Sequence, residues 1–192
     1  MKRIDYETII RIIPKKSKVL DLGCGGGKLL HHLKQSKDIV GSGIEISEIG
    51  ASEAISKGLS VIQGNLEEVV KNYPDNSFDY VILSQTLQEL KHPDLVFHHM
   101  LRIGKKCILT FINLAHIKYR LQILFTGMFP RSDDLPFDWK TTNIAFLSVK
   151  NFKEYCMKNN IKIRNEIYFT GQKKVVFWRN FRSKLCIYEI SR

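Results

Sequence analysis

The stretch Lys18-Val19-Leu20-Asp21-Leu22-Gly23-Cys24-Gly25-Gly26-Gly27 decides the fold of this 192-residue chain. Its first half is a short β-prone run, its second half is a glycine-rich turn, and a helical pattern follows over 28–34. Glycine lets the backbone turn sharply and removes every side chain between the main chain and a ligand. Exposed amides at the start of the next helix can hold a carboxylate. The stretch therefore predicts the first strand, turn and helix of an open parallel sheet, with a ligand on the turn.

Strand and helix patterns alternate outward from this unit. A helix is predicted over 5–13, because its apolar residues have helical spacing and Pro14 ends it. Further strands are predicted over 39–46, 60–63, 78–83 and 107–112, and further helices over 47–57, 67–72 and about 93–103. This alternation implies right-handed crossovers and a mostly parallel sheet.

The alternation breaks after Asn113. Residues 114–147 begin with a helix-like, aromatic-rich segment and continue into a loop over 130–138. Insertions of this kind commonly cover a ligand cleft, so we predict a cap over 114–148. A helix over 149–159 and two β-prone stretches over 161–170 and 185–190 follow. With no helix predicted between them, the last two stretches are expected to pair as an antiparallel hairpin of one single domain, residues 1–192.

The composition bounds the class of protein. Hydrophobic residues make up 44% and charged residues 26%, as in soluble globular proteins. No apolar run approaches the roughly 18 residues that cross a bilayer, and the first residues do not resemble a signal peptide, so we expect a cytoplasmic protein with no membrane partner. The cysteines are widely spaced without a CxxC pair, which predicts neither a metal site nor a disulfide framework. They are Cys24, Cys107, Cys156 and Cys186.

The formal net charge of +11 favours acidic partners. The densest basic cluster, over 172–184, interleaves lysine and arginine with aromatic residues. Such a cluster can hold a nucleic-acid strand. It is also typical of a hairpin whose exposed edge carries protective lysines, and this second interpretation is favoured.

The acidic residue before the turn distinguishes between two ligand classes. Counting G-x-G-x-x-G from Gly23 puts Lys28 at the third glycine, so the dinucleotide pattern fails. The pattern acidic-x-G-x-G-x-G fits, with Asp21, Gly23, Gly25 and Gly27. Asp21 can organise the turn amides or contact a ligand ammonium group directly. A pyrophosphate ligand, which is an anion, would gain nothing from an acid at this position. Cys24 lies where a small side chain is needed, and its expected role is packing.

Residues after the next two predicted strands suit an adenosyl ligand. Glu45 ends the second strand 22 positions after Gly23, close to the spacing of about 20 at which an acid reaches a ribose diol. Asn65 can accept from an adenine amino group, and the Leu66 amide can donate to the ring. Ile46 and Leu66 are expected to sandwich the adenine. Together with the turn, these residues predict a site for S-adenosylmethionine.

The sequence resembles class I S-adenosylmethionine-dependent methyltransferases, and more closely the methionine-biosynthesis proteins called the MetW family. The resemblance covers essentially the whole chain and is most specific at Phe78-Asp79-Tyr80-Val81-Ile82-Leu83-Ser84-Gln85-Thr86-Leu87-Gln88. Other matching segments lie at 3–6, 19–25, 41–46 and 58–66. The resemblance implies a Rossmann-like class I methyltransferase fold, with a seven-stranded, mostly parallel sheet and a C-terminal antiparallel hairpin. It also implies a role in methionine supply, with homoserine O-acyltransferase as partner.

The chain departs from the family pattern at three positions. Gly26 stands where the family usually has Asp or Glu, which removes a second acid from the turn. Asn65 replaces the usual Asp and keeps an acceptor without its charge. Ala145 stands where the family normally has a cleft histidine.

No catalytic residue is predicted. Ser84, which we include among the cofactor-binding residues, and Gln85, Thr86 and Gln88 are placed by the cleft, but none is a useful base at neutral pH. His92, His116 and Tyr119 are candidates that are more often helix or surface residues. Three hypotheses follow: a cofactor-sensing partner of the acyltransferase, a methyltransferase for an unidentified small-molecule acceptor, and, well behind these, an RNA methyltransferase.

Overall fold

A computed structural model describes residues 3–130 and 146–192, and in it the glycine-rich turn joins a central strand to a helix. Strand β1 (Lys18–Leu22) ends at the turn, and helix α2 (Lys28–Lys37) begins directly after it. The last four residues of β1 are buried, as expected of a strand with helices on both faces. Gly27 caps α2 at a φ of 71°, a left-handed conformation that glycine adopts without a Cβ clash.

The other helices and strands follow the predicted alternation. They are α1 (Ile4–Ile12), β2 (Val40–Glu45), α3 (Glu48–Ser56), β3 (Ser60–Gln63), α4 (Leu66–Val69), β4 (Phe78–Ser84), α5 (Pro93–Ile103), β5 (Gly104–Ile112), α6 (Ile117–Thr126), α7 (Val149–Lys158), β6 (Lys162–Thr170), β7 (Lys173–Lys174), α8 (Arg179–Arg182) and β8 (Leu185–Ser191). Single 3-10 turns lie at Val70–Asn72 and Leu87–Glu89.

The sheet is parallel in its first part and antiparallel in its last. Its strand order is β3-β2-β1-β4-β5-β8-β6-β7. Strands β3, β2, β1, β4 and β5 pair in parallel, whereas β8 pairs antiparallel with both β5 and β6. The predicted Rossmann-like fold, mostly parallel with a C-terminal hairpin, is confirmed, and the two-residue β7 extends the sheet by one strand. The strand order reverses beside β1, which is where open sheets bind ligands.

The connection between β6 and β8 differs from the prediction. It contains the edge strand β7 and the single-turn helix α8, so the expectation that no helix lies there was wrong. Four helical residues are too few to produce an apolar period in the sequence. The exposed Lys173 and Lys174 form β7 at the end of the sheet. This placement agrees with the interpretation of this cluster as a protected edge.

Two apolar layers cover the two faces of the sheet. Successive strand residues point to opposite faces, so Leu20 and Val19 of β1 enter different layers. One layer includes residues of α5 and α7 and the other includes residues of α1 and α2. Both layers hold β1 rigidly, and the turn at its end is therefore supported from both sides.

The structure also bears on the predictions about the cysteines, the cap, metal binding and membrane spans. All four cysteines are buried and unbridged. Residues 131–145, and with them Ala145 and much of the predicted cap, lie outside the described residues. Among the residues that are described, no group of three or more His, Cys, Asp or Glu side chains is arranged to hold a metal ion. Within the same ranges, no helix has the length and apolar content needed to cross a bilayer.

Candidate cofactor site

A cavity of about 260 Å³ opens where β1, β2, β3 and β4 end. Five predicted site residues from three separate loops meet there: Gly23, Glu45, Ile46, Asn65 and Leu66. The rest of its lining is Glu67, Thr86, Glu89, Leu90 and Lys91. The glycine turn and the acid predicted to follow it by about twenty positions thus share one groove.

Glu45 connects the end of β2 to the glycine turn. Its Oε2 accepts from the Gly25 amide at 2.7 Å, and its Oε1 accepts from the Ser47 amide at 2.8 Å. A carboxylate oxygen can accept more than one hydrogen bond, so both oxygens retain capacity for hydroxyl donors. The backbone bonds fix the position of the Glu45 carboxylate at the cavity wall.

Gly23 and Gly25 serve different purposes in the turn. Both have left-handed φ values, 73° and 53° respectively. A Cβ at Gly23 would lie 2.6 Å from Thr86 Oγ1, whereas a Cβ at Gly25 would meet nothing within 4 Å. Gly23 therefore allows β1 and the loop after β4 to approach each other. Gly25 leaves open space beside its main chain.

Asp21 carries a buried carboxyl oxygen without a partner. Its Oδ1 has no hydrogen-bond partner among the residues described. Burial raises the pKa of Asp21, the charge of Arg3 lowers it and that of Glu45 raises it, and together these bring it to about 7. The predicted contact with the turn amides is made by other groups, since Gly23 and Cys24 donate to Ile44 O and Gly25 donates to Glu45. A ligand cation remains the predicted partner of Asp21.

Cys24 and Gly27 support the turn from behind. A Cβ at Gly43 would lie 2.5 Å from the Cys24 sulfur, which packs closely against β2. Burial raises the Cys24 pKa to about 12, so the thiol stays protonated at neutral pH. A Cβ at Gly27 would overlap Leu59 and Ala54. Both residues are in the predicted region, but neither lines the cavity.

The proposed adenine end of the cavity combines a cap with an exposed apolar side chain. Asn65 Oδ1 accepts from the Glu67 amide at 3.0 Å and so caps α4. Its predicted role as an adenine acceptor therefore depends on its second lone pair. Leu66 is buried, and Ile46 is 70% exposed at the opposite loop. An exposed isoleucine beside a cavity offers one apolar face to a flat ring.

Ser84 lies in a different hydrogen-bond network from the cavity. Its Oγ is 3.3 Å from Asp5 Oδ2 and 3.3 Å from Thr110 Oγ1. Gln85 Nε2 donates to the same Asp5 oxygen at 3.0 Å, and Arg3 pairs with Asp5. This network ties the start of α1 to the end of β4. Residues 3–6 carry part of the family resemblance, but no pattern in them predicts this contact.

A second cavity, of about 680 Å³, lies between α1 and α2. Its lining includes Arg3, Tyr6 and Lys28, where α2 starts after the turn. The Arg3 guanidinium sits 4.1 Å from the centre of the Tyr6 ring, and its charge lowers the pKa of Asp21. A cation and a buried acid thus lie near the same turn, an arrangement that suits a ligand carrying both an ammonium and a carboxylate.

Two acids of the cavity were not predicted. Glu67 Oε1 accepts from the Lys91 amide at 2.8 Å and the His92 amide at 3.0 Å, which fixes the loop before α5. Glu89 is exposed at the cavity, where partial desolvation together with the nearby charge of Glu45 raises its pKa. Neither acid follows a strand directly, so their sequence positions gave no signal.

The remaining candidates are structural. Gln88 is buried and exchanges hydrogen bonds with the backbone of Ile112, at 3.1 Å for its oxygen and 3.4 Å for its nitrogen. His116 accepts from the Lys118 amide and caps α6, and burial lowers its pKa. Tyr119 is the buried residue of α6. Thr86, by contrast, lines the cavity as expected.

Comparison with known proteins identifies the family. The family model described as methionine biosynthesis protein MetW matches residues 3–190. The bifunctional methionine biosynthesis protein MetXA/MetW of Rhodopirellula baltica is 31% identical over 176 residues, which are 86% of this chain and 28% of that protein. The chain thus spans less than a third of the length of this relative.

Solved structures show the fold. A SAM-dependent methyltransferase of Thermotoga maritima, a possible histamine N-methyltransferase, has a TM-score of 0.68 at 16% identity, over 97% of this chain and 86% of that one. Magnesium protoporphyrin IX methyltransferase of Synechocystis, solved with bound SAH, has a TM-score of 0.68 at 17% identity, over 98% of this chain and 82% of that one. From the near-complete match of the family model, the chain belongs to the methionine biosynthesis protein MetW family.

Proposed function

We propose that this protein binds S-adenosylmethionine in the cavity between the glycine turn and Glu45. The observation that carries the proposal is the convergence of Gly23, Glu45, Ile46, Asn65 and Leu66 on one groove. The class I methyltransferase fold of the structural neighbours supports the same ligand.

Each part of the ligand has a candidate contact in this chain. Glu45 retains lone pairs for the ribose hydroxyls, and Ile46 and Leu66 offer apolar faces to the adenine. The unpartnered Asp21 oxygen suits the ammonium, and the open main chain at Gly25 leaves room beside it. When bound, the cofactor supplies an activated methyl group. Glu67 holds the loop at Lys91 and so keeps the cavity open.

Calorimetry with S-adenosylmethionine and S-adenosylhomocysteine tests the site. Glu45→Ala leaves ribose hydroxyls unpaired and is expected to lose more than about 1 kcal/mol of binding free energy. Glu48→Ala, which removes an exposed acid from the first turn of α3, is the matched control and should bind like the wild type. Unchanged affinity in Glu45→Ala would place the ligand elsewhere.

We further propose that the protein acts in methionine biosynthesis as a cofactor-sensing partner of homoserine O-acyltransferase, in the cytoplasm. The name of the Rhodopirellula baltica relative joins a MetXA unit to a MetW unit in one protein. The histidines considered as bases do not line the cavity, which favours a binding role. Four buried, unbridged cysteines suit a reducing compartment.

Copurification tests the partnership. Tagged protein should retain the acyltransferase of the same organism, and acyltransferase activity should change when this chain and S-adenosylmethionine are added. Absence of association at micromolar concentration would refute the partnership without affecting the cofactor site.

Glu89 favours a second candidate function, methyl transfer to an unidentified small-molecule acceptor. Its carboxyl lines the cavity, and its raised pKa brings it closer to the range useful for a general base. Tritium should then pass from labelled cofactor to some component of a metabolite extract, and Glu89→Gln should abolish the transfer. Continued cofactor binding with no labelled product would exclude this function.

A further inference from the structure

Helix α6 turns its apolar stripe to solvent. Leu121, Leu124 and Phe125 are 41%, 72% and 76% exposed, although their spacing is that of one face of an amphipathic helix. Only Tyr119 of this ten-residue helix is buried. Such a stripe normally packs into a core, so its exposure marks a surface that another molecule can cover.

The loop before α8 carries a second exposed apolar set. Phe177 is 74% exposed and Trp178 is 77% exposed. Trp178 has a φ of 50°, a left-handed conformation that is uncommon for a bulky residue. Backbone strain at an exposed aromatic residue is typical of binding sites.

The two sets lie on neighbouring elements. Arg120 of α6 places its guanidinium 5.6 Å from the centre of the Phe181 ring, and the Trp178 ring packs edge-on against Phe181 at 6.2 Å. We call the exposed residues together the α6–α8 surface: Leu121, Leu124, Phe125, Phe177 and Trp178. Phe181 connects its two parts.

The two segments that carry this surface have charges of one sign. Residues 114–130 and 171–188 contain no Asp or Glu and carry Lys118, Arg120 and Arg182. From outside these segments, Glu166 pairs with Arg179 of α8. A partner that covers the surface should therefore present an apolar centre with an acidic rim. Tryptophan and phenylalanine surrounded by arginine also match the composition of protein interfaces.

We propose that the α6–α8 surface is the docking site for the homoserine O-acyltransferase subunit. This inference rests on the proposed partnership, and it specifies where the partner binds. A protein occupant is favoured because, in the Rhodopirellula baltica relative, the matching part makes up 28% of a polypeptide named for both units. Two such units that work together need an interface on each.

Hydrogen bonds connect the surface to the cofactor cavity. Gln88, in the same 3-10 turn as the cavity residue Glu89, exchanges hydrogen bonds with the backbone of Ile112. Asn113, which follows Ile112, bonds to both parts of the surface. It accepts at 3.1 Å from the amide of Ala115, which precedes α6, and donates at 2.8 Å to the carbonyl of Ser183, which follows α8. A partner docked here would contact the elements that are joined to the cavity loop.

Titration calorimetry against the purified acyltransferase of the same organism tests the docking site. Phe125→Glu and Trp178→Glu should each weaken binding at least tenfold, because they place a charge inside an apolar contact with an acidic rim. Ile55→Glu makes the same change on α3, at 54% exposure and beside the other end of the sheet, and should bind like the wild type. Trp178→Ala repeats the test without adding charge, and thermal melting checks that every variant folds.

The outcomes separate the inference from the function on which it rests. If the wild type binds and both glutamate variants bind equally well, the docking site is wrong and the partnership stands. If the wild type does not bind the acyltransferase, the partnership itself fails, and the docking proposal fails with it. The wild type is also tested for dimerisation by light scattering and for binding to phosphatidylserine vesicles. If Phe125→Glu abolishes either of these and leaves acyltransferase binding intact, the surface serves a different occupant and the proposal is overturned.

Discussion

The two parts of the sheet present different chemistry where their strands end. At the ends of β1 and β2 the chain presents carboxylates and open main chain: Glu45 lines the cavity and accepts from the Gly25 amide, and Asp21 is buried near the end of β1. In the part beyond β5 it presents apolar side chains, with Phe125 of α6 76% exposed and Trp178, directly before α8, 77% exposed. Polar groups with spare hydrogen-bonding capacity suit a small ligand, and exposed apolar area suits a protein. The two parts of one sheet therefore suit two different kinds of ligand.

The largest expected effect tests the charge buried in the cofactor part. Burial raises the Asp21 pKa from 3.8 to about 7, so the folded state binds this proton more tightly than the unfolded state does. The protonated Asp21 therefore contributes its full share to the free energy of unfolding below about pH 4. This contribution is lost as the pH rises through about 7, and for a shift of about three pKa units the total loss is about 4 kcal/mol. Urea denaturation from pH 4 to pH 8 should show this decline in the wild type and a flatter profile in Asp21→Asn. Parallel profiles would contradict the buried charge.

The next largest effect concerns the part beyond β5. Asn113 is fully buried and bonds to Asn180 O at 3.0 Å, Ser183 O at 2.8 Å and Ala115 N at 3.1 Å. Asn113→Ala leaves these groups without partners and should lower the free energy of unfolding by about 3 kcal/mol, about 1 for each bond. Chemical denaturation measures it. Asn159→Ala removes one exposed bond and should cost under about 0.5 kcal/mol; equal losses in the two variants would show that Asn113 does not organise this part.

A pair of glycine variants separates support of the turn from space for the ligand. Gly23→Ala combines about 1–2 kcal/mol of left-handed strain with overlap at Thr86, whereas Gly25→Ala has the strain alone. Gly23→Ala should therefore melt at the lower temperature. Gly25→Ala should also bind the cofactor more weakly, by more than its loss of stability alone would cause. Its added methyl group would occupy the open space beside the main chain that the ligand is proposed to use. Calorimetry and thermal melting of the same samples compare the two, and the reverse order of melting would refute the assignment.

The smallest effect concerns the missing acid of the turn. The nearest atoms to a Cβ at Gly26 belong to the carboxylate of Glu53, which is 49% exposed and pairs with Lys57 at 2.6 Å. This carboxylate is the end of a flexible side chain and can move away. Gly26→Asp should therefore change stability by less than about 0.5 kcal/mol in denaturant titrations. A loss above about 2 kcal/mol would mean that the turn itself rejects a side chain.

Local chemistry explains what the sequence predicted. The turn at Gly23 and the acid Glu45 were identified because each directly follows or ends a strand, and parallel strands bring such positions to one edge. Contacts between distant segments were not predicted. Asp5 meets Gln85 across 80 residues, and Glu67 holds the backbone of Lys91 from 24 residues away. No pattern in either segment encodes its partner, since tertiary packing alone brings them together.

The part beyond β5 was predicted less completely for the same reason. The antiparallel pairing of β6 with β8 was predicted because no helix was expected between these two β-prone stretches, and the pairing is confirmed. The helix α8 that does lie between them is a single turn held by long-range bonds to Asn113. From the sequence alone, the apolar stripe on α6 would be predicted to be a buried helix face. The spacing of apolar residues shows that one face of a helix is apolar, but it does not show what covers that face. Exposure had to come from the structure.

A crystal structure of this protein with S-adenosylhomocysteine tests the central claim most directly. The account predicts ribose hydroxyls about 2.5–3.0 Å from the Glu45 carboxylate and the adenine between Ile46 and Leu66. It also predicts the ligand ammonium beside the unpartnered Asp21 oxygen. Density for the ligand in the α1–α2 cavity, with Glu45 still bound only to Gly25 and Ser47, would contradict it.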